Sequence, residues 1–366
     1  MSNPFIVNPA RVPSNYIDRI SLTDSVISAF TQGESEYAKY IVGVRGTGKT
    51  VMMNYICNKL EEADFVCVKM NPMGDLYDSA ISGLKTDKSV LSAFNINLEV
   101  ETPDNDLWGH LLPSIKAGIK MDVSKQNAAD KEVILRELVK ELTKRNIKVL
   151  FAIDEIYKCD NLAMFALTMQ TMVGEGSKAY LLMTGLPDNV RLVQRDKRCS
   201  FLARIMEVWT SPLSDFSVSN SYMNIFGIDR HDAKVLASYV KGYSYAYQLL
   251  GYILWDEKPE SILNEERKLN QRVYMRFLEG LFSAQYDLIW DELTPNERLV
   301  MKGIAAAPTD KTEDIIVASG LEAGSYNQTR EGLYRKKDLI DCSTHGRVEF
   351  TLPSFDEYVR FKYDLE

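Results

Sequence analysis

The stretch Gly43-Val44-Arg45-Gly46-Thr47-Gly48-Lys49-Thr50 constrains the fold of this chain more tightly than any other segment. It fits the pattern G-x-x-x-x-G-K-[ST], follows the apolar run Tyr40-Ile41-Val42, and precedes a segment of helical character over residues 51–60. A strand running into a glycine-rich loop and then a helix is the context this pattern requires. The glycines let the backbone curl until successive N–H groups converge, and the helix N-terminus adds partial positive charge at the same point. Such a loop is a cradle for phosphate groups. Lys49 then reaches the β- and γ-phosphates of a nucleotide, and Thr50 offers its hydroxyl to Mg²⁺. Gly43, Arg45, Gly46, Thr47, Gly48, Lys49, Thr50 and Val51 are therefore the candidate contacts to ATP or ADP.

Two further apolar runs place polar residues where such a loop needs them. Val149-Leu150-Phe151-Ala152-Ile153 reads as a buried parallel strand, since both of its faces must be covered. Asp154 and Glu155 follow at its carboxyl end, where open α/β sheets bind ligands. Asp154 is suited to hold Mg²⁺ and Glu155 to polarise an attacking water. A strand ending in a solvated acidic turn has the same pattern, but downstream of a phosphate loop the chemical reading is preferred. Tyr180-Leu181-Leu182-Met183-Thr184 is another such strand. Thr184 at its tip either senses the γ-phosphate or bonds its own turn. With strands over residues 65–70 and 203–210, the fold class is α/β, built on a parallel sheet.

At 366 residues and 45% hydrophobic, the chain is long enough for two or three cores. We place a nucleotide-binding domain at 1–211, a helical lid and linker helix at 212–290, and a C-terminal module at 291–366. The first domain adds helices over 21–30, 76–84, 130–145 and 187–194, with a strand at 94–100 and a helix at 108–119. The second is helical over 217–226, 232–240 and 245–255, then over a long span from 262 to 282. In the third, Thr294-Pro295-Asn296-Glu297 forms a capping box with proline at the first helical position. Helices over 297–307, 313–319 and 324–337 precede a hairpin (339–343 with 348–352) and a terminal helix (353–363). Three helices and a hairpin are the order of a winged helix.

The helix that begins at Gly324 and ends at Lys337 carries Asn327, Gln328, Arg330, Arg335, Lys336 and Lys337. Those residue types read base edges and hold phosphates of duplex DNA. A solvated helix in a protein-contact module carries the same types. Residues 291–366 hold ten Lys/Arg against fifteen Asp/Glu, and the whole chain is at −8, so no general attraction to nucleic acid operates. No apolar run approaches the roughly 18 to 20 residues of a membrane span. The five cysteines lack C-x-x-C spacing, which predicts reduced thiols and a cytoplasmic setting.

Taken together these residues resemble the AAA+ ATPases, in particular the bacterial and archaeal origin-recognition-like proteins. Residues 43–50 look like the Walker A motif and residues 149–155 like Walker B, and Thr184 stands at the sensor 1 position. Asn15–Phe30 resembles the segment before the phosphate loop that packs near the adenine, with Tyr16 and Ile17 as its candidate contacts. Ser200-Phe201-Leu202-Ala203-Arg204-Ile205 is similar to the stretch carrying an arginine finger. Gly242-Tyr243-Ser244-Tyr245 is similar to the sensor 2 turn, and residues 294–366 to the family's winged helix. The resemblance implies ATP and Mg²⁺ as ligands, slow hydrolysis, and a homo-oligomer in which Arg204 reaches a neighbouring subunit. Two features depart from the family: Tyr245 replaces the sensor 2 arginine, and the C-terminal module is acidic. An ATP-regulated DNA-binding protein with little turnover, or a STAND-type signalling ATPase acting through protein partners, are the alternatives.

Overall fold

The computed structural model describes residues 2–7, 12–17, 19–32, 36–94, 128–257, 262–344 and 346–365. The strand expected over 94–100, from residue 95 onward, and the helix over 108–119 lie outside them. The chain divides into two compact units. One comprises Ile20–Val42 with Met52–Trp209; the other comprises Met1–Arg19, Gly43–Val51 and Thr210–Glu366.

The first unit is built on a five-stranded parallel sheet: β1 (Ala38–Val42), β2 (Phe65–Met70), β3 (Lys148–Ile153), β4 (Ala179–Gly185) and β5 (Met206–Trp209), in the order β2-β3-β4-β1-β5. The near-continuous apolar runs are explained by burial on both sides. Val149, Phe151 and Ile153 enter one core, which also holds Tyr40, Leu181 and Met183. Their alternates Leu150 and Ala152 enter a second core with Ile41, Tyr180 and Leu182. Period-two alternation thus divides β1 to β4 between two apolar layers. Helices Leu76–Thr86, Ala128–Lys144 and Asp160–Gly174 cover the first layer. Helix Ile20–Gln32 covers the second through Val26 and Phe30, together with the helix Lys49–Glu61 through Met52, Ile56 and Leu60. Because the strands are parallel, Val42, Ile153 and Gly185 all end at one edge, with Val42 opposite Gly185 and Ile153 opposite Met183.

The second unit is helical, and the N-terminal arm belongs to it. Phe5 packs against Tyr222, Phe226 and Tyr247. A Cβ at Gly251 would lie 2.2 Å from the Phe5 ring, so the glycine makes room for the arm. Helices Asp215–Phe226, Arg230–Val240 and Ser244–Leu254 follow, close to expectation. The long helix expected over 262–282 is shorter. Leu263 pairs with Leu269 in an isolated bridge, Asn270 caps, and the helix proper is Gln271–Leu281. It leads through a π turn, Phe282–Tyr286, to Asp287–Asp291. Then come Pro295–Ala306 with both capping-box bonds, Thr312–Ser319, Ala323–Arg335, the antiparallel pair β6 (Ile340–Asp341) and β7 (Glu349–Phe350), and Phe355–Lys362.

Candidate functional site

The loop after β1 adopts the conformation its glycines permit. Gly46 and Gly48 have φ of +74° and +87°, the left-handed region that costs other residues about 1–2 kcal/mol. Lys49 is buried, and its ammonium donates to the Val44 carbonyl at 2.9 Å, so the cation lies folded into the loop. Thr47 Oγ1 donates to the same carbonyl at 2.9 Å and accepts from Thr210 Oγ1 at 2.9 Å.

The carbonyl side of the loop is gripped by the turn that starts the helix Ser244–Leu254. Tyr243 Oη donates to Arg45 O at 2.8 Å, Tyr245 N to Gly46 O at 3.0 Å, and Ser244 Oγ to Thr47 O at 3.0 Å. Three successive loop carbonyls are therefore held by three successive residues. Helix starts leave N–H groups without intrahelical partners, and Tyr245 gives one of these to the loop. Burial pushes the Tyr243 phenol well above its ordinary pKa, so it stays a neutral donor. Tyr245 reaches the loop through its backbone N–H, not its side chain.

Arg19 completes this arrangement. It is buried, and donates from Nε to Ser211 O at 2.7 Å and from Nη2 to Thr47 O at 2.9 Å and Ser244 Oγ at 2.8 Å. Sequence reasoning did not single out Arg19, Tyr243, Ser244 or Thr210 as site residues. A lone arginine two residues after the Tyr16-Ile17 pair was the one available signal. Ile17 and Tyr245 both pack against the core that contains Val44 and Tyr243, while Tyr16 is half-buried in the arm. Arg45 carries its guanidinium away to Glu292 Oε1, at 2.9 Å from Nε and 2.7 Å from Nη2.

In the sheet unit, Asp154, Glu155 and Thr184 form one group at the carboxyl ends of β3 and β4. Thr184 is fully buried; its hydroxyl donates to Asp154 Oδ1 and accepts from Glu155 N at 3.0 Å. Ile156 N donates to the Thr184 carbonyl at 2.8 Å. One threonine thus fixes the Asp154 carboxylate and the Glu155 backbone together. Glu155 has φ of +54° and an exposed side chain. A left-handed glutamate is strained by about 1–3 kcal/mol.

Arg204 does not lie in the fifth strand as expected. It ends a 3-10 turn, Leu202–Arg204, because Leu202 is drawn into the core before β5 begins at Met206. Its side chain is exposed and makes no ion pair among the described residues. On the helix Ala323–Arg335, Asn327 and Gln328 are exposed, whereas Arg335 pairs with Glu331. Lys337, expected to hold phosphate, is instead turned inward, 3.0 Å from both Glu292 O and Glu297 Oε2. Among the described residues no cluster of metal-ligating side chains occurs, and no helix is long and apolar enough to cross a membrane.

This geometry can be set beside known proteins. The Aeropyrum pernix ORC2 protein, solved in ADPNP–ADP complexes, superposes with a TM-score of 0.58 at 12% identity, covering 98% of both chains. The fold is that of the AAA+ ATPases. The ADP form of ORC2 gives a TM-score of 0.50 at 12% identity over 97% of each chain. Cdc6p from Pyrobaculum aerophilum covers 98% of each chain at 11% identity with a TM-score of 0.46. At these identities the likeness is one of fold. Residues 283–359 match a family described as a domain of unknown function (DUF8462), and a search among curated proteins found no match.

Proposed function

We propose that this chain is an ATP-driven molecular switch: it binds Mg·ATP, hydrolyses it slowly, and signals its state through the C-terminal module. The observation that carries the reading is the loop itself, with Gly46 and Gly48 left-handed and its carbonyls bound from outside by Tyr243, Tyr245, Ser244 and Arg19. With its carbonyls held from outside, such a loop keeps its shape as its amides take phosphate oxygens. The fold likeness to ORC2, which was solved with ADPNP and ADP, supports the same reading.

The residue roles follow from motif position and local chemistry. Lys49 leaves Val44 O to take the terminal phosphates. Thr50 and Asp154 would hold Mg²⁺, whose charge would offset the negative charge on the transferring group. Thr184 keeps Asp154 oriented, and Glu155 aligns and polarises the attacking water. Arg204, exposed and unpaired among the described residues, supplies the arginine finger to a neighbouring copy. Residues 1–211, 212–290 and 291–366 serve as nucleotide-binding domain, lid and winged helix.

The C-terminal module reads better as a protein-contact surface than as a DNA reader. Arg335 is neutralised by Glu331 and Lys337 is engaged internally, which leaves Lys336 the sole exposed cation of that trio without an ion pair among the described residues. Glu155→Gln tests the switch. It should retain ATP binding and lose turnover, because the amide keeps shape but cannot polarise water. Turnover near the parental rate would mean that another group activates the water.

A further inference from the structure

A line of contacts joins the end of the helix Ala323–Arg335 to the nucleotide loop. Lys337 Nζ donates to Glu292 O and to Glu297 Oε2, each at 3.0 Å. The Glu292 carboxylate in turn holds Arg45, two residues into the loop. The Lys337 end is well shielded, while the Arg45–Glu292 pair is 33% and 44% exposed. Lys337 and Glu297 side chains are only 18% and 12% exposed, unlike typical surface pairs. Glu297 Oε2 also accepts from Thr294 N at 2.8 Å, so the carboxylate that anchors Lys337 is itself fixed by a helix cap.

The segment between them is tied by several hydrogen bonds. Arg298 holds the Trp290 carbonyl from Nε and Nη2 at 3.2 and 2.9 Å, and its guanidinium lies 5.5 Å from the Trp290 ring centre. Glu292 N and Leu293 N donate back to Ile289 O and Trp290 O at 3.2 and 3.1 Å. Glu292 is thus held by its amide, its carbonyl and its carboxylate. Arg45 is held at both ends, since its own carbonyl accepts from Tyr243. Lys337 and Arg45 thus meet on one residue, Glu292, the first through its carbonyl and the second through its carboxylate.

We infer that Glu292 is a positioning residue through which the C-terminal module regulates nucleotide retention. With Lys337 seated, Arg45 is held and the loop is closed on its ligand; with Lys337 drawn away, the loop relaxes and nucleotide leaves faster. Linkage requires the converse at equilibrium: by whatever factor a seated Lys337 tightens nucleotide affinity, bound nucleotide favours the seated Lys337. The inference rests on the nucleotide-binding reading above and adds a regulator to it.

The test is the release rate of a fluorescent ADP analogue, the N-methylanthraniloyl derivative, chased with excess ADP. The full chain is compared with Lys337→Gln, Glu292→Gln, Arg45→Gln and the double variant Lys337→Gln/Glu292→Gln. A partly exposed ion pair couples modestly, so each single change should speed release about two- to fivefold. The double variant should release no faster than Glu292→Gln alone, because both changes cut one line. Circular dichroism melts identify any variant that has merely unfolded; Glu292→Asp, which keeps the charge but shortens its reach to Arg45, then stands in for Glu292→Gln. If Lys337→Gln releases the analogue at the parental rate, or if the two changes multiply, the inference is overturned while nucleotide binding stands. If the parent chain binds no analogue at all, both readings fall.

Discussion

Removing a single oxygen, as Tyr243→Phe, probes the clamp on the nucleotide loop. The Tyr243 hydroxyl is buried and donates to Arg45 O at 2.8 Å, while the ring contributes to the helical core. Phenylalanine preserves the packing and leaves the Arg45 carbonyl short of that donor. Losing a buried hydrogen bond while its acceptor stays behind costs about 1–3 kcal/mol. Urea unfolding followed by circular dichroism should report a loss in that range. Part of the loss falls on the order of the loop, so ATP affinity measured calorimetrically should drop about three- to tenfold, since about 1.4 kcal/mol is tenfold. The same geometry predicts a failed rescue. A Cβ at Gly46 would lie 2.0 Å from Tyr243 Oη and 2.6 Å from Cζ, so Gly46→Ala remains defective in the Tyr243→Phe background. Unchanged unfolding free energy and unchanged affinity in Tyr243→Phe would refute the clamp, and so would full rescue of Gly46→Ala.

Three further outcomes are expected. Arg204→Ala should bind ATP normally and turn over slowly, and mixing it with Glu155→Gln protein should restore activity; a monomeric mass in saturating ATP with no restoration removes the shared site. The Asp196 carboxyl is held well below the usual carboxylate range by its hydrogen bonds to Arg198. Its contribution to stability is present above the unfolded value of about 3.9 and fades as pH falls through the lower folded value; Asp196→Asn should flatten acid melts, and an unaltered profile contradicts the pair. If duplex DNA binds, Lys336→Glu should lower its log–log salt slope by about 0.9, whereas absence of any gel shift at low salt, with and without Mg·ATP, leaves a protein partner.

The central strands β3 and β4 were legible because they are buried on both faces and so read as unbroken apolar runs; β2 begins and ends where expected, at Phe65 and Met70. The loop and the Asp154-Glu155 pair were legible because their chemistry is local in sequence. The clamp was not. Tyr243 and Ser244 meet Arg45 and Thr47 almost two hundred positions away, and they meet backbone carbonyls, which any residue type presents. Lys337, read from the basic run as a phosphate contact, has its ammonium on Glu297 and a backbone carbonyl instead. The helix expected over 262–282 failed at Asn270, whose side chain accepts from Arg272 N and starts a new helix instead. Arg204 was misplaced for a similar reason, because the turn that buries Leu202 precedes the strand.

Titration of ATP, in the presence of Mg²⁺, into the full chain and into Lys49→Ala tests the central claim most directly. Lys49 is buried in the loop with its ammonium on Val44 O, poised to exchange that carbonyl for phosphate. The account predicts saturable one-site binding by the parent and a loss of at least about a hundredfold in affinity for the variant, on the order of 3 kcal/mol for a charged contact. Equal affinities in the two proteins, or no binding by the parent, would contradict it.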